Sequence, residues 1–462
     1  MKKNIATLLA FLAAVATSLA AQNGGDTSGC PPPLDPATPL PIADEVTVGG
    51  MVFKTAGLPP GLAVHPVPGI IAGTGALDGS VIHRTAVRIL ETRGLKTPGG
   101  DYLVMFPEGD HYANNKGRTR KNNKLLACRS SDRGRTWSGP VEAFDIDYSQ
   151  HGFIPFVPRG GGRIYAFGTQ PNPDFGYSAG GGAHENAPIG FRWSDDDGRT
   201  WSPPAVIRPA NDPGFMGMSV MRMTETDAGA WLLGSHTSDW SVKPLTTAQY
   251  LLRSTDKGAT WELLPGKRPG GWQVKEQRRM DEGRPINLGG GEVLLMSRTG
   301  AGSLFTARSL DDGKTWGDFA PTTLVHPWAP PMLFHLSDGK TLIAFHHNRL
   351  PASAAGDERY RDSGLNPQAE NMKVRSEIWF SLSADRGRTW SESRFLFATA
   401  AKPDLKVKAW NFQCSYVDMF TDGGVLHLIV PHRWRQVLHL AIPEDKLATA
   451  PTKAELRALA KQ

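Results

Sequence analysis

One eight-residue pattern, Ser-x-Asp-x-Gly-x-Thr-Trp, occurs five times in this chain. The copies begin at Ser130, Ser194, Ser254, Ser309 and Ser383, giving spacings of 64, 60, 55 and 74 residues. Self-similarity at a near-regular interval marks a chain built from stacked supersecondary units. Within each copy five positions are constant and the rest vary, and a tight hairpin turn explains the constant ones. The Asp carboxylate accepts hydrogen bonds from the N–H groups of its own loop. Gly supplies a backbone conformation of positive φ. The Ser and Thr hydroxyls tie the ends of the loop, and Trp buries a large ring beneath it. The composition agrees, with 51 Gly, 36 Pro and 13 Trp but only 21% charged residues, which favours turns and aromatic-rich strands over helices. Short strand-like runs at 85–90, 101–106 and 124–128 precede the first copy, and another at 141–144 follows it.

These turns resemble the Asp-box (BNR) repeats of the sialidase superfamily. The resemblance implies an all-β fold, a six-bladed β-propeller with Asp-box turns. In that family the box joins the third and fourth strands of a blade on the face away from the active site. Five boxes then account for five blades. The sixth is expected from 413–420, 425–430 and 437–442, closed by an N-terminal strand near 45–53. Closure of this kind removes exposed sheet edges. The resemblance covers residues 45–445.

Residues 1–21 read as a secretory signal: Lys2 and Lys3, an apolar run from Ile5 to Ala16, and small residues for cleavage after Ala20 or Ala21. The run is short for a bilayer span, so the mature chain is expected to be secreted, without membrane insertion. A flexible leader follows at 22–44, and 446–462 reads as a C-terminal tail with a short helix. Losing Lys2 and Lys3 lowers the formal charge from +6 to +4. No basic run is interleaved with aromatics, so nucleic acid is not an expected partner. The spacing of Cys30, Cys128 and Cys414 matches no metal motif, and no cofactor is expected.

The resemblance also implies site residues. A sialidase holds a sugar carboxylate with three arginines, attacks with a Tyr activated by a Glu, and protonates the leaving group with an Asp. Arg88 stands in Val-Arg-Ile-Leu where the family has Arg-Ile-Pro, without the Pro. Glu282 and Arg298 bracket a stretch in which a Glu opens one strand and an Arg closes the next. Arg375, just before Ile378-Trp379-Phe380, sits where the third arginine is expected, with Arg349 as a competitor. Tyr416, in Ser-Tyr-Val-Asp-Met, resembles the nucleophile's setting. For the acid, the positions nearest the expected Asp are Asn122 and Asn123, leaving Asp110 as the candidate at the start of that loop.

These residues lead to a secreted exo-glycosidase that removes a terminal acidic sugar from a glycan. His151, His184, His346, His347, His432 and His439 fall near presumed strand ends, and His151 is a further substrate-binding candidate. Histidines beside Tyr and Arg would instead suit a lyase that abstracts the C5 proton of a uronate while cations neutralise its carboxylate. A glycan-binding propeller without catalysis is the third reading, because fold does not fix function. No ligand spacing points to a metal.

Overall fold

The computed structural model describes residues 40–85, 88–109, 124–146, 152–170, 186–239, 241–242, 245–275, 279–350, 374–403 and 412–461. Six antiparallel sheets are arranged as the blades of a propeller. Blade one runs from Arg88–Ile89 and Arg93–Lys96 through Tyr102–Gly109 and Lys124–Ser130 to Val141–Asp145. Blade four has four strands in sequence order: Asp281–Gly289, Glu292–Arg298, Ser303–Ser309 and Ala320–Val325. The second strand of blade four faces neighbouring blades on both sides: every residue of Glu292–Arg298 is buried, around an apolar run at 293–296. Between blades five and six, Ile343, Phe345, Ile378, Leu428 and Leu438 share one core.

All five boxes lie between the third and fourth strands of a blade. In the box at Ser194, the Asp196 carboxylate accepts from the Thr200 amide at 2.8 Å and the Thr200 hydroxyl at 2.6 Å. Ser194 donates to Asp196 at 2.7 Å and accepts from the Gly198 amide at 2.7 Å. The left-handed stretch is two residues long: Asp197 (φ 59°) precedes Gly198 (φ 79°), and Arg133, Lys257, Asp312 and Arg386 occupy the same position in the other boxes. Of the five box tryptophans only Trp261 is fully buried; the others are half-buried caps on the turn.

The sixth blade comprises Asp418–Asp422, Val425–His432 and Gln436–Pro443, and the strand that closes it is Asp78–Arg84. This corrects the expectation that 45–53 closes the ring. Glu45–Val48 and Met51–Lys54 form a separate hairpin, which packs Val48 and Phe53 on Trp379 outside blade five. The Gly49 amide donates to Glu377 at 2.7 Å there. The closing strand lies so near its partner that a Cβ on Gly79 would stand 2.5 Å from the His439 carbonyl oxygen. Gly79→Val is therefore expected to destabilise the fold by about 1–3 kcal/mol through overpacking, seen as a lower Tm; an unchanged Tm would disprove this account of closure. The tail carries the expected helix, Lys453–Leu459, started by a capping box between Thr452 and Glu455. Its Leu456 packs into the hairpin's core.

Candidate active site

The boxes identify the opposite end of the blades. In blade four, Val293 pairs with Ser309, the first residue of a box, whereas Arg298 closes the same strand at its other end, opposite Asp281. In blade five, Ser383 begins a box and Arg375 precedes the far end of that strand. Tyr416 stands just before the first strand of blade six. Glu282, Arg298, Arg375 and Tyr416 are thus brought to the box-free face, and all four are buried.

Their geometry is specific. The Tyr416 hydroxyl donates to Glu282 Oε1 at 2.7 Å, and Arg298 Nη1 donates to Glu282 Oε2 at 2.6 Å. One carboxylate therefore links the phenol to the guanidinium. Asp281 supports the group from below, accepting from Arg279 Nε at 2.9 Å and the Thr247 hydroxyl at 2.8 Å, with Arg298 Nε at 3.4 Å. Arg375 donates to the Trp328 carbonyl, and the Arg279 guanidinium lies 4.6 Å from the centre of the Trp328 ring. Glu282 (φ 54°) and Tyr416 (φ 64°) both adopt left-handed backbone. For residues with a side chain this is strained by about 1–3 kcal/mol and persists where the surroundings over-determine it, commonly at functional sites.

The charges act on one another strongly in this dry setting. Burial, and then Glu282, push the Tyr416 phenol well above its ordinary range, so it rests protonated. Burial alone would raise Glu282, but Arg298 outweighs it and holds the carboxyl below the usual range. Burial opposes the charge on Arg298, yet Glu282 and Asp281 raise it. Burial and the neighbouring Arg298 lower Arg375 to about 10, still a cation at neutral pH. The result is a neutral phenol held against an ionised carboxylate, flanked by cations. That arrangement can pass a proton from phenol to carboxylate when a cationic or electrophilic centre arrives.

Arg349, the competitor for the third arginine, forms an ion pair with Glu377 at 2.8 Å. The Arg88 backbone opens its strand opposite Gly109, but its side chain lies outside the described part of the structure. Asp110, Asn122, Asn123, His151 and His184 also lie outside the described residues, as does the segment 351–373. The remaining histidines named from the sequence are bound to structure. His346 contacts the Val325 carbonyl and the Ser381 hydroxyl, both at 3.2 Å. His432 bonds Thr399 at 2.7 Å, and His439 bonds His427 at 2.9 Å. Among the described residues no His, Cys, Asp or Glu group could hold a metal ion. Cys128 and Cys414 are buried free thiols.

Sequence reasoning missed several members of the site. Arg93 is buried, pairs with Glu91 at 2.6 Å and reaches the Tyr416 carbonyl at 3.5 Å. Opposite charges two residues apart at the start of a strand were the available signal. Asp281 and Arg279, supporting Arg298, carried the same kind of mark. Trp328 carried none, since its nearness to Gly300 arises only on folding: a Cβ on Gly300 would stand 1.9 Å from Trp328 Nε1.

A six-bladed Asp-box propeller with a buried Tyr–Glu–Arg cluster at its box-free end defines a sialidase-like protein. The chain belongs to the BNR repeat-like domain family, whose model matches residues 154–428. It is 26% identical over 324 residues to a sialidase of Micromonospora viridifaciens, covering 63% of this chain and 45% of that protein. A xyloglucanase of Paenibacillus sp is 30% identical over 154 residues, 32% of this chain and 14% of the relative. The chain thus spans less than half the length of either curated relative. Among solved structures, a Hadza microbial sialidase superposes with a TM-score of 0.56 at 18% identity, over 81% of this chain and 69% of that one. Among the described residues no helix is long and apolar enough to cross a membrane.

Proposed function

We propose that this protein is a secreted exo-glycosidase of the sialidase type, hydrolysing a terminal carboxylated sugar from a glycan. The observation that carries the reading is the Tyr416–Glu282–Arg298 chain of short hydrogen bonds. Sialidases are an exception to the two-carboxylate rule of glycosidases and use a Tyr nucleophile. A neutral phenol approaches an anionic sugar without the repulsion a carboxylate nucleophile would meet. Arg298 and Arg375, with Arg88 as the third, would clamp the sugar carboxylate through planar donor pairs. Tyr416 would attack the anomeric carbon as its proton passes to Glu282, and water would release the glycosyl-enzyme. Asp110 takes the role of general acid on its sequence position alone.

The Tyr416 hydroxyl is paired with a carboxylate, the arrangement that activates a phenol nucleophile, which favours hydrolysis over the lyase reading. The test is a panel of fluorogenic sialosides and uronosides with product analysis by chromatography. Release of the free acidic sugar without an unsaturated, ultraviolet-absorbing product is the expected result. No release from any carboxylated glycoside across the pH range would leave the binding-only reading in its place.

Gly300→Ala probes the clamp from outside it. The added methyl must displace the Trp328 ring, whose own carbonyl anchors Arg375. A shift of about 1 Å in a positioning group costs up to about a hundredfold. We expect kcat/KM to fall at least about tenfold with the fold retained; unchanged kinetics would show that Trp328 does not position Arg375.

A further inference from the structure

The axis of the propeller holds a charge arrangement that the proposed reaction does not use. Five first strands converge there: Arg93–Lys96 of blade one, Ser219–Glu225 of blade three, Asp281–Gly289 of blade four, Met332–His335 of blade five and Asp418–Asp422 of blade six. They contribute Arg93, Arg222, Arg284, Phe334 and Asp418. The Arg222 and Arg284 guanidinium carbons lie 4.9 Å and 5.4 Å from the centre of the same Phe334 ring. Two cations thus lie against one aromatic ring.

The acidic groups nearby, Asp418 and Glu91, favour these charges from a distance but hydrogen-bond other partners. Glu91 binds Arg93 at 2.6 Å and the Gly152 amide at 3.4 Å. Asp418 accepts from the Gly94 amide at 3.0 Å. Arg284 is 0% exposed, and none of its three guanidinium nitrogens has a hydrogen-bond partner. Arg222 makes no ion pair or hydrogen bond with any described residue, and it is only half-buried, so open space lies beside it. Three guanidinium groups face two carboxylates.

Such a state is costly for a group that cannot shed its proton. A guanidinium offers five N–H donors and no acceptor, and burying a charge unpaired costs several kcal/mol in proteins. Water would fill donor positions but leave the repulsion between the two cations intact. A single anion does both.

We propose that the central channel beneath the candidate active site binds a small inorganic anion of the halide class, held between Arg284 and Arg222. Phe334 forms the apolar wall of the site, and Arg93 links it to Tyr416 through the Tyr416 carbonyl. The full burial of Arg284 limits the ligand to one small enough to be enclosed. Burial, and then the charge of Arg93, hold Arg284 down to about 9; a bound anion would restore it upward.

The probes are chloride and bromide. At constant ionic strength, with gluconate as the replacing anion, Tm of the full chain is expected to rise with chloride and to saturate. The expected slope is on the order of 2 °C per tenfold excess over Kd. Crystals soaked in bromide should give an anomalous peak within hydrogen-bonding reach of Arg284. Arg284→Met should abolish the chloride dependence without lowering Tm in gluconate, because the substitution removes an unpaired charge. A Tm indifferent to halide, together with a channel free of anomalous signal, would mean water alone fills the space and would overturn the proposal. Should Arg284→Met fail to fold, the bromide peak in the native protein still decides the matter.

Discussion

Replacing Tyr416 by phenylalanine is expected to lower kcat on the productive glycoside by at least about a thousandfold, equivalent to about 4 kcal/mol of barrier, while the protein stays folded. The substitution deletes one oxygen. Its cost to the fold is a Glu282 Oε1 left without its donor, about 1–3 kcal/mol, while Glu282 Oε2 keeps Arg298 at 2.6 Å. Glu282→Gln is a poorer probe, because it breaks a buried ion pair and leaves the Arg298 charge to Asp281 alone at 3.4 Å. The reading also specifies stereochemistry: two successive displacements at the anomeric carbon release the sugar with retained configuration, observable by following the first-formed anomer by NMR. Residual kcat within tenfold of the native value would remove Tyr416 from the nucleophile's role and leave its hydrogen bond to Glu282 a structural one. Because Arg298 holds Glu282 below the usual carboxylate range, the base should remain ionised at mildly acidic pH.

The second large effect is acid instability. His346, His347, His427 and His439 are buried, and burial lowers them to about 4, 3, 4 and 4 respectively. The Tyr102–His427–His439 chain requires neutral rings, whereas His346 and His347 donate to carbonyl oxygens and are kept neutral by burial. Tyr102 donates to Asp422 at 2.7 Å, so its oxygen accepts from His427 at 3.1 Å; His427 in turn accepts from His439 at 2.9 Å. A further proton on His427 would set N–H against N–H. The sign follows: an imidazole whose folded pKa lies below the unfolded value of about 6.5 contributes stability at higher pH. That contribution is lost as pH falls from about 6.5 toward 4. At pH 5 each of the four gives up on the order of 2 kcal/mol, and together they approach the whole stability of a typical domain. Tm should therefore fall steeply below pH 6.5, and the acid limb of activity should track unfolding rather than titration of Glu282. A Tm unchanged between pH 7 and 4.5 would contradict this.

The two effects differ in how visible their sources were in the linear chain. The box turns are local: each carboxylate binds amides three or four residues away, so the blades could be counted before any folding was considered. Tyr416, Glu282, Arg298 and Arg375 were identifiable only through their resemblance to family motifs. Glu282 and Tyr416 are separated by 134 residues, and only ring closure brings them to 2.7 Å. The sixth blade lacks a box and is closed by a strand from the other end of the chain. Asp78–Arg84 and 45–53 are comparably strand-like, and hydrophobic pattern alone did not choose between them.

The amino-acid order by itself determined five turns and the blades that hang from them, because these rest on contacts within a few residues; the face on which to look for chemistry came from the family resemblance. Tertiary structure alone decided which strand closes the ring, that Arg93, Asp281 and Trp328 belong with the site, and that Arg222 and Arg284 meet over one phenylalanine ring. Those contacts join inner strands from separate blades, and inner strands meet only around an axis that exists once the propeller has closed.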